Sequence, residues 1–78
     1  MPRLLLFGPA RQAAGTSNTF ISATDVTGVI EAAKERFGDD FSRVLEVSKI
    51  WVNGECAEGD ALVTDEDEVA VIPPVAGG

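Results

Sequence analysis

Residues 68–78 read Glu68-Val69-Ala70-Val71-Ile72-Pro73-Pro74-Val75-Ala76-Gly77-Gly78. One acid followed by four small or β-branched apolar residues is the composition of a strand that buries at least one face. Pro73 and Pro74 cannot donate to a sheet ladder, so the strand has to stop there and continue as a stiffened, extended arm. The closing glycines lack a Cβ and visit φ > 0 freely, which makes the tip slender enough to thread a narrow active site. The six residues from Pro73 to Gly78 reach about 20 Å at ~3.3 Å each. The expectation is one domain over residues 1–72 carrying an extended tail over 73–78, with the carboxylate of Gly78 as the reactive group.

Upstream of that strand, Lys49-Ile50-Trp51-Val52 has the composition of a central strand. Asn53-Gly54 after it is a strong hairpin signal, since a type I′ turn needs φ > 0 at both central residues. Glu55-Cys56-Ala57 is the return strand, and the acidic turns Gly59-Asp60 and Asp65-Glu66-Asp67 lead back to residue 68. Further back, Thr24 or Asp25 caps a helix whose apolar residues Val26, Val29, Ile30, Ala33 and Phe37 form one face, closed by Gly38. Gly28 within its first turn costs about 1 kcal/mol against Ala and reads as a close approach of helix to sheet. Asp39 to Glu46 offers a shorter helical segment with Phe41, Val44 and Leu45 as its apolar side.

At the N-terminus, Arg3 to Gly8 is an apolar strand ended by Pro9. Ala10 to Ala14 is a helical turn closed by Gly15, and Asn18 to Ser22 is a second strand paired loosely with the first. Two strands, a helix and then further strands give an α+β fold. The arrangement expected is a β-grasp, or ubiquitin-like, mixed sheet with a helix packed on one face and a flexible C-terminal Gly-Gly tail. Its first and last strands are central and parallel.

At 78 residues and 8.2 kDa the chain supports a single domain without a deep enclosed cavity. Thirteen acids against six bases give a net charge of −7, which disfavours nucleic acid or an anionic membrane as partner and favours a basic protein. A lone cysteine, Cys56, forms no internal disulfide, and Leu4-Leu5-Leu6-Phe7 is shorter than a secretory apolar core. No stretch has the length to span a membrane. A cytoplasmic protein is expected.

The chain has no His and no Tyr, which removes the commonest general acid or base and any Cys–His pair, so protease-type nucleophilic catalysis has no components and a chain not catalytic alone is expected. Cys56, with only carboxylates nearby in sequence, reads as an inert small apolar residue. Asp65-Glu66-Asp67-Glu68 lacks the ligand spacing of a calcium loop and reads as a solvated acidic turn, so no metal site is expected. Gly8 to Gly15 lacks the Lys-Ser/Thr of a phosphate loop. Arg11 is a cation just after the first strand, available to a carboxylate or phosphate on a partner. Trp51, Phe7 and Ile72 read as core or sheet-face residues. They become an apolar partner surface if one face of the sheet is left uncovered.

Leu6-Phe7, Ala10-Arg11 with Ala14-Gly15, Val52-Asn53-Gly54 and the ending Asp67-Glu68-Val69-Ala70-Val71-Ile72-Pro73-Pro74-Val75-Ala76-Gly77-Gly78 together resemble the ubiquitin-like sulfur carriers that serve as small subunits of molybdopterin synthase. The resemblance implies that Gly78 is adenylated and converted to a thiocarboxylate, and that its sulfur builds the dithiolene of the molybdenum cofactor from a cyclic pterin monophosphate. It implies no bound cofactor, with ATP consumed by a ubiquitin-activating-like adenylyltransferase. The implied partners are that enzyme, a sulfur donor protein and the large synthase subunit, the last in a heterotetramer. Phe7, Arg11 and Ile72 fall at partner-contact positions by the same likeness, Cys56 falls near an apolar one, and Val75, Ala76 and Gly77 deliver the tail. Gly8-Pro9 departs from the bulkier residues usual after the first strand. Alternatives on the same fold are a carrier for thiamin or cysteine biosynthesis, and a protein modifier conjugated through Gly78.

Overall fold

The computed structural model describes residues 1–74, and the chain runs β1 (Arg3–Leu6), α1 (Gly8–Ala14), β2 (Asn18–Phe20), α2 (Val26–Phe37), α3 (Asp39–Glu46), β3 (Lys49–Val52), β4 (Glu55–Cys56) and β5 (Glu68–Ile72). These strands form one mixed sheet in the order β2-β1-β5-β3-β4. β1 and β5 are parallel at its centre, with Leu4 opposite Val69 and Leu6 opposite Val71, and the other neighbours are antiparallel. The α+β, β-grasp architecture expected from the sequence is the one observed.

Side chains alternate across a strand, so Leu4, Leu6, Val69 and Val71 all point to one face, where they are buried under the helices. Ala10, Val26, Val29, Ala33, Phe41 and Leu45 close over them. Each buried Val, Leu or Phe side chain contributes about 1.5–3 kcal/mol relative to exposure. The expected covering helix, α2, is joined by two others. α1 packs on β1 and β5 and against α3, and α3 packs against α2, with the Phe37 and Phe41 rings 5.0 Å apart at 57°.

The first turn of α2 shows where its backbone donors go. Asp25 is the N-cap, and the Gly28 N–H donates to its Oδ1 at 2.7 Å. The Val26 N–H donates to the Ala61 carbonyl at 3.0 Å, and the Thr27 N–H and Oγ1 both donate to the Gly59 carbonyl at 2.9 and 2.8 Å. Residues 59–61 therefore satisfy donors that a helix start leaves without intrahelical partners. A Cβ on Gly28 would lie 3.0 Å from Asp25 Oδ1 and 3.1 Å from Ala23 Cβ. The close approach at Gly28 is to its own cap, which corrects the expected approach to the sheet.

β2 ends at Phe20 instead of Ser22. The Ile21 N–H still reaches the Pro2 carbonyl at 3.0 Å, but Pro2 has no N–H to return, so the ladder closes there. The free edge of β2 is blunted by Arg36, whose Nη1 donates to the Phe20 carbonyl at 3.1 Å and to Thr19 Oγ1 at 2.9 Å.

Candidate functional site, the open sheet face and the base of the C-terminal arm

The expected delivery residues Val75, Ala76 and Gly77 and the reactive Gly78 lie outside the described residues. What the structure describes is the surface from which they leave. Phe7, the N-cap of α1, has φ −127° and ψ 153°, so the alternation of β1 continues through it and its ring falls on the face opposite Leu6. The register that sets Leu6 against Val71 then brings Phe7 beside Ile72, and Ile72 lies opposite Lys49. Phe7 is 48% and Ile72 39% exposed.

One step inward, Leu5, Ala70, Trp51 and Cys56 form the next row, each opposite its neighbour in register. A third row mixes charge with one aromatic ring, that of Phe20 opposite Arg3. Arg3 lies opposite Glu68, its Nη1 4.0 Å from Glu68 Oε2, and its guanidinium carbon sits 5.2 Å from the centroid of the Phe20 ring. Among the described residues no helix covers this face, so Phe7, Trp51 and Ile72 are sheet-face residues forming an apolar patch, not core. Arg11 is exposed one turn along α1 from Phe7, whose carbonyl accepts its N–H at 3.4 Å. It meets no carboxylate within 4 Å among the described residues. Cys56 is exposed. It sits on a two-residue strand at the sheet edge, where nothing covers its side.

The ladder stops at Ile72, because Pro73 and Pro74 bring no N–H to it. Pro73 is buried and Pro74 exposed. Beside them a mainly apolar groove of about 310 Å³ is lined by Val47, Lys49, Trp51, Ile72, Pro73 and Pro74. A wider, more polar concavity of about 580 Å³ lies at the Val52, Cys56 and Leu62 end, rimmed by Glu55, Glu58, Asp60 and Asp67.

Sequence reasoning missed the device that fixes the opposite end of β5. Asn53, at φ 51°, and Gly54, at φ 83°, make the turn of the β3–β4 hairpin. The Asn53 N–H donates to the Glu68 carbonyl at 2.9 Å, and the Glu68 N–H donates back to Asn53 Oδ1 at 2.9 Å. Asn53 Nδ2 donates to Asp67 Oδ1 at 2.8 Å, while the Thr64 N–H donates to Asp67 Oδ2 at 2.8 Å. These donors, Asn53 first and the Thr64 N–H second, hold the Asp67 carboxyl below the usual aspartate range. The only hint in the sequence was the asparagine itself, which tolerates φ > 0 and carries both a donor and an acceptor.

Among the described residues there is no group of three or more His, Cys, Asp or Glu arranged to hold a metal ion, and no helix long and apolar enough to cross a membrane. The arrangement presents a surface and an arm.

Residues 4–78 match the ThiS family. Over the full length of both proteins the chain is 35% identical to the molybdopterin synthase sulfur carrier subunit of Escherichia coli strain K12. Its fold is similar to the small archaeal modifier protein 1 of Methanosarcina acetivorans, with TM-score 0.83 and 27% identity over 97% of this chain and 94% of that one. It is also similar to a chain in the complex of subunits 1 and 2 of the molybdopterin-converting factor from Helicobacter pylori 26695, with TM-score 0.74 and 26% identity over 97% and 96% of the two chains. With a family match across nearly its whole length, on a β-grasp body whose central strand runs into a diproline stem, the chain belongs to the ThiS family.

Proposed function

We propose that this chain is a sulfur carrier, the small subunit of a molybdopterin synthase, and that it works through the carboxylate of Gly78. The single observation that carries this reading is the 35% identity, over the full length of both, to a protein named as the sulfur carrier subunit of that enzyme. The geometry agrees with it in kind. A body without histidine offers an uncovered apolar face, and its central strand leads into the diproline at the base of the arm.

On this reading the Gly78 carboxylate attacks the α-phosphorus of ATP on an adenylyltransferase, releasing pyrophosphate. Hydrosulfide supplied by a donor protein then displaces AMP and, on losing its proton, leaves a thiocarboxylate. A donor persulfide would instead form an acyl disulfide, which a second donor thiol cleaves to the same thiocarboxylate and a donor disulfide. Adenylation supplies the leaving group that a bare carboxylate lacks, and the product sulfur is nucleophilic at neutral pH. The residues Val75, Ala76 and Gly77 carry that sulfur into a pocket of the large subunit, where it is given to a cyclic pterin monophosphate. Phe7 and Ile72 contact the large subunit from the open face, and Arg11 contacts it from the exposed side of α1, one turn from Phe7. A named complex of subunits 1 and 2 around a similar chain supports a two-subunit assembly, and a heterotetramer working in the cytoplasm completes the proposal.

The test is intact-mass analysis after incubation with the cognate adenylyltransferase, ATP and a sulfur donor. The expected result is replacement of one oxygen by sulfur at Gly78. An unchanged mass in the presence of demonstrably active enzyme would overturn the reading. The likeness to an archaeal modifier protein makes conjugation to lysine the competing outcome, and high-mass adducts ending in Gly78 would mark it.

A further inference from the structure

The groove at the base of the arm is more specific than tail delivery requires. Trp51, the chain's single tryptophan, is only partly buried there, and Val47 beside it is 65% exposed. Half-buried indoles are characteristic of binding surfaces, since the ring supplies a large apolar area at little entropic cost. Pro73 and Pro74 form one wall, so a protein that receives the arm lies against this groove.

Lys49 decides what the occupant carries. Among the described residues it is the only cation lining the groove, and no Lys or Arg follows it in residues 50–78. It meets no carboxylate within 4 Å among the described residues. A partner drawn to a chain of net charge −7 is broadly basic, and at Lys49 such a surface is repelled unless it offers an acid there. A lone opposite charge within a complementary field fixes register and rejects misfits.

We propose that this groove is a docking pocket for one apolar side chain of the large synthase subunit, with a neighbouring carboxylate of that subunit pairing with Lys49. The proposal rests on the sulfur-carrier reading and names which partner the base of the arm recognises. Phe7 and Ile72 give the face its adhesion, and Lys49 with Trp51 gives it selectivity.

The experiment is calorimetric titration of the full chain with the large subunit from the same organism, for Trp51→Ala, Trp51→Phe, Lys49→Glu and Lys49→Gln, beside Leu62→Ser at a distant exposed position. Expected losses of affinity are about thirtyfold for Trp51→Ala, as for a central aromatic anchor, and about tenfold for Lys49→Glu. Lys49→Gln falls between wild type and Lys49→Glu, and Leu62→Ser binds as wild type. Lys49 is exposed, so its variants remain readable even if Trp51→Ala loses the fold. Unchanged affinity in both Lys49 variants and a folded Trp51→Phe overturns the proposal. An equal loss of thiocarboxylate formation on the adenylyltransferase overturns the assignment to the large subunit. Altered self-association with unaltered large-subunit affinity overturns it too. If the wild-type chain gains no sulfur at Gly78, the carrier reading falls and takes the groove's partner with it. Sulfur gained without a groove effect removes the groove alone.

Discussion

Asp67 looks like its neighbours in the sequence and behaves unlike them in the fold. It sits in the run Asp65-Glu66-Asp67-Glu68, yet its carboxylate accepts from Asn53 Nδ2 and from the Thr64 N–H. Both bonds favour the ionised form, so its folded-state pKa lies below the ordinary 3.8. A carboxyl with a depressed folded pKa gives stability that is fully present above its unfolded value and lost as pH falls through the folded one. Urea unfolding of wild type and Asp67→Asn from pH 7 to 2 is therefore expected to show a stability gap that is constant near neutrality and closes below pH 3.8. A gap that stays the same at every pH would remove the charge from the explanation. The turn at Asn53-Gly54 was legible because it needs only local backbone chemistry. Its tie to Asp67, 14 residues downstream, was not, because four adjacent acids are indistinguishable until the β3–β5 register selects one.

Among the elements, α2 was the most legible, because its apolar spacing, its Asp25 cap and its closing Gly38 all agree. What the pattern could not supply was the reason for Gly28. Helix propensity alone favours alanine there by about 1 kcal/mol. The cap geometry opposes it, since the new Cβ would stand 3.0 Å from the same Asp25 Oδ1 that accepts the residue's own N–H, and 3.1 Å from Ala23 Cβ. Asp25 is held in place by that bond, so yielding costs cap energy of about 0.5–2 kcal/mol. Gly28→Ala is expected to lower the melting temperature, contrary to propensity. In an Asp25→Ala background, where the carboxylate is gone, the same change is expected to cost less or to stabilise. A thermal-denaturation cycle over the four proteins reads the difference directly, and equal effects of Gly28→Ala in both backgrounds would mean that the cap is not what excludes a side chain.

For the molecule as a whole, the sheet divides stability from recognition by a single residue of alternation. Leu6 and Phe7 are adjacent, but Leu6 is 1% exposed under the helices and Phe7 stands on the uncovered face beside Ile72. Charge is divided as well. Seven of the 13 acids lie in residues 55–68, where there is no cation, while the remaining six acids are matched by all six bases. The β-grasp topology was readable from the order of its elements, but which apolar residues stay exposed was not. Phe7, Trp51 and Ile72 have the composition of core, and only the placement of all three helices on the other face leaves them outside. Leu6→Ala removes buried methyl groups and is expected to cost about 2–5 kcal/mol of folding stability, with affinity for the large subunit recovered once the folded fraction is accounted for. Phe7→Arg and Ile72→Arg are expected to do the reverse. An exposed position tolerates the change within about 0.5 kcal/mol, while the charge is forced into an apolar contact and weakens binding by about tenfold or more. Denaturation midpoints and large-subunit titrations on the same three proteins separate the two effects. Should both arginine variants fold and bind like wild type, the partner docks elsewhere and the open face has lost its role.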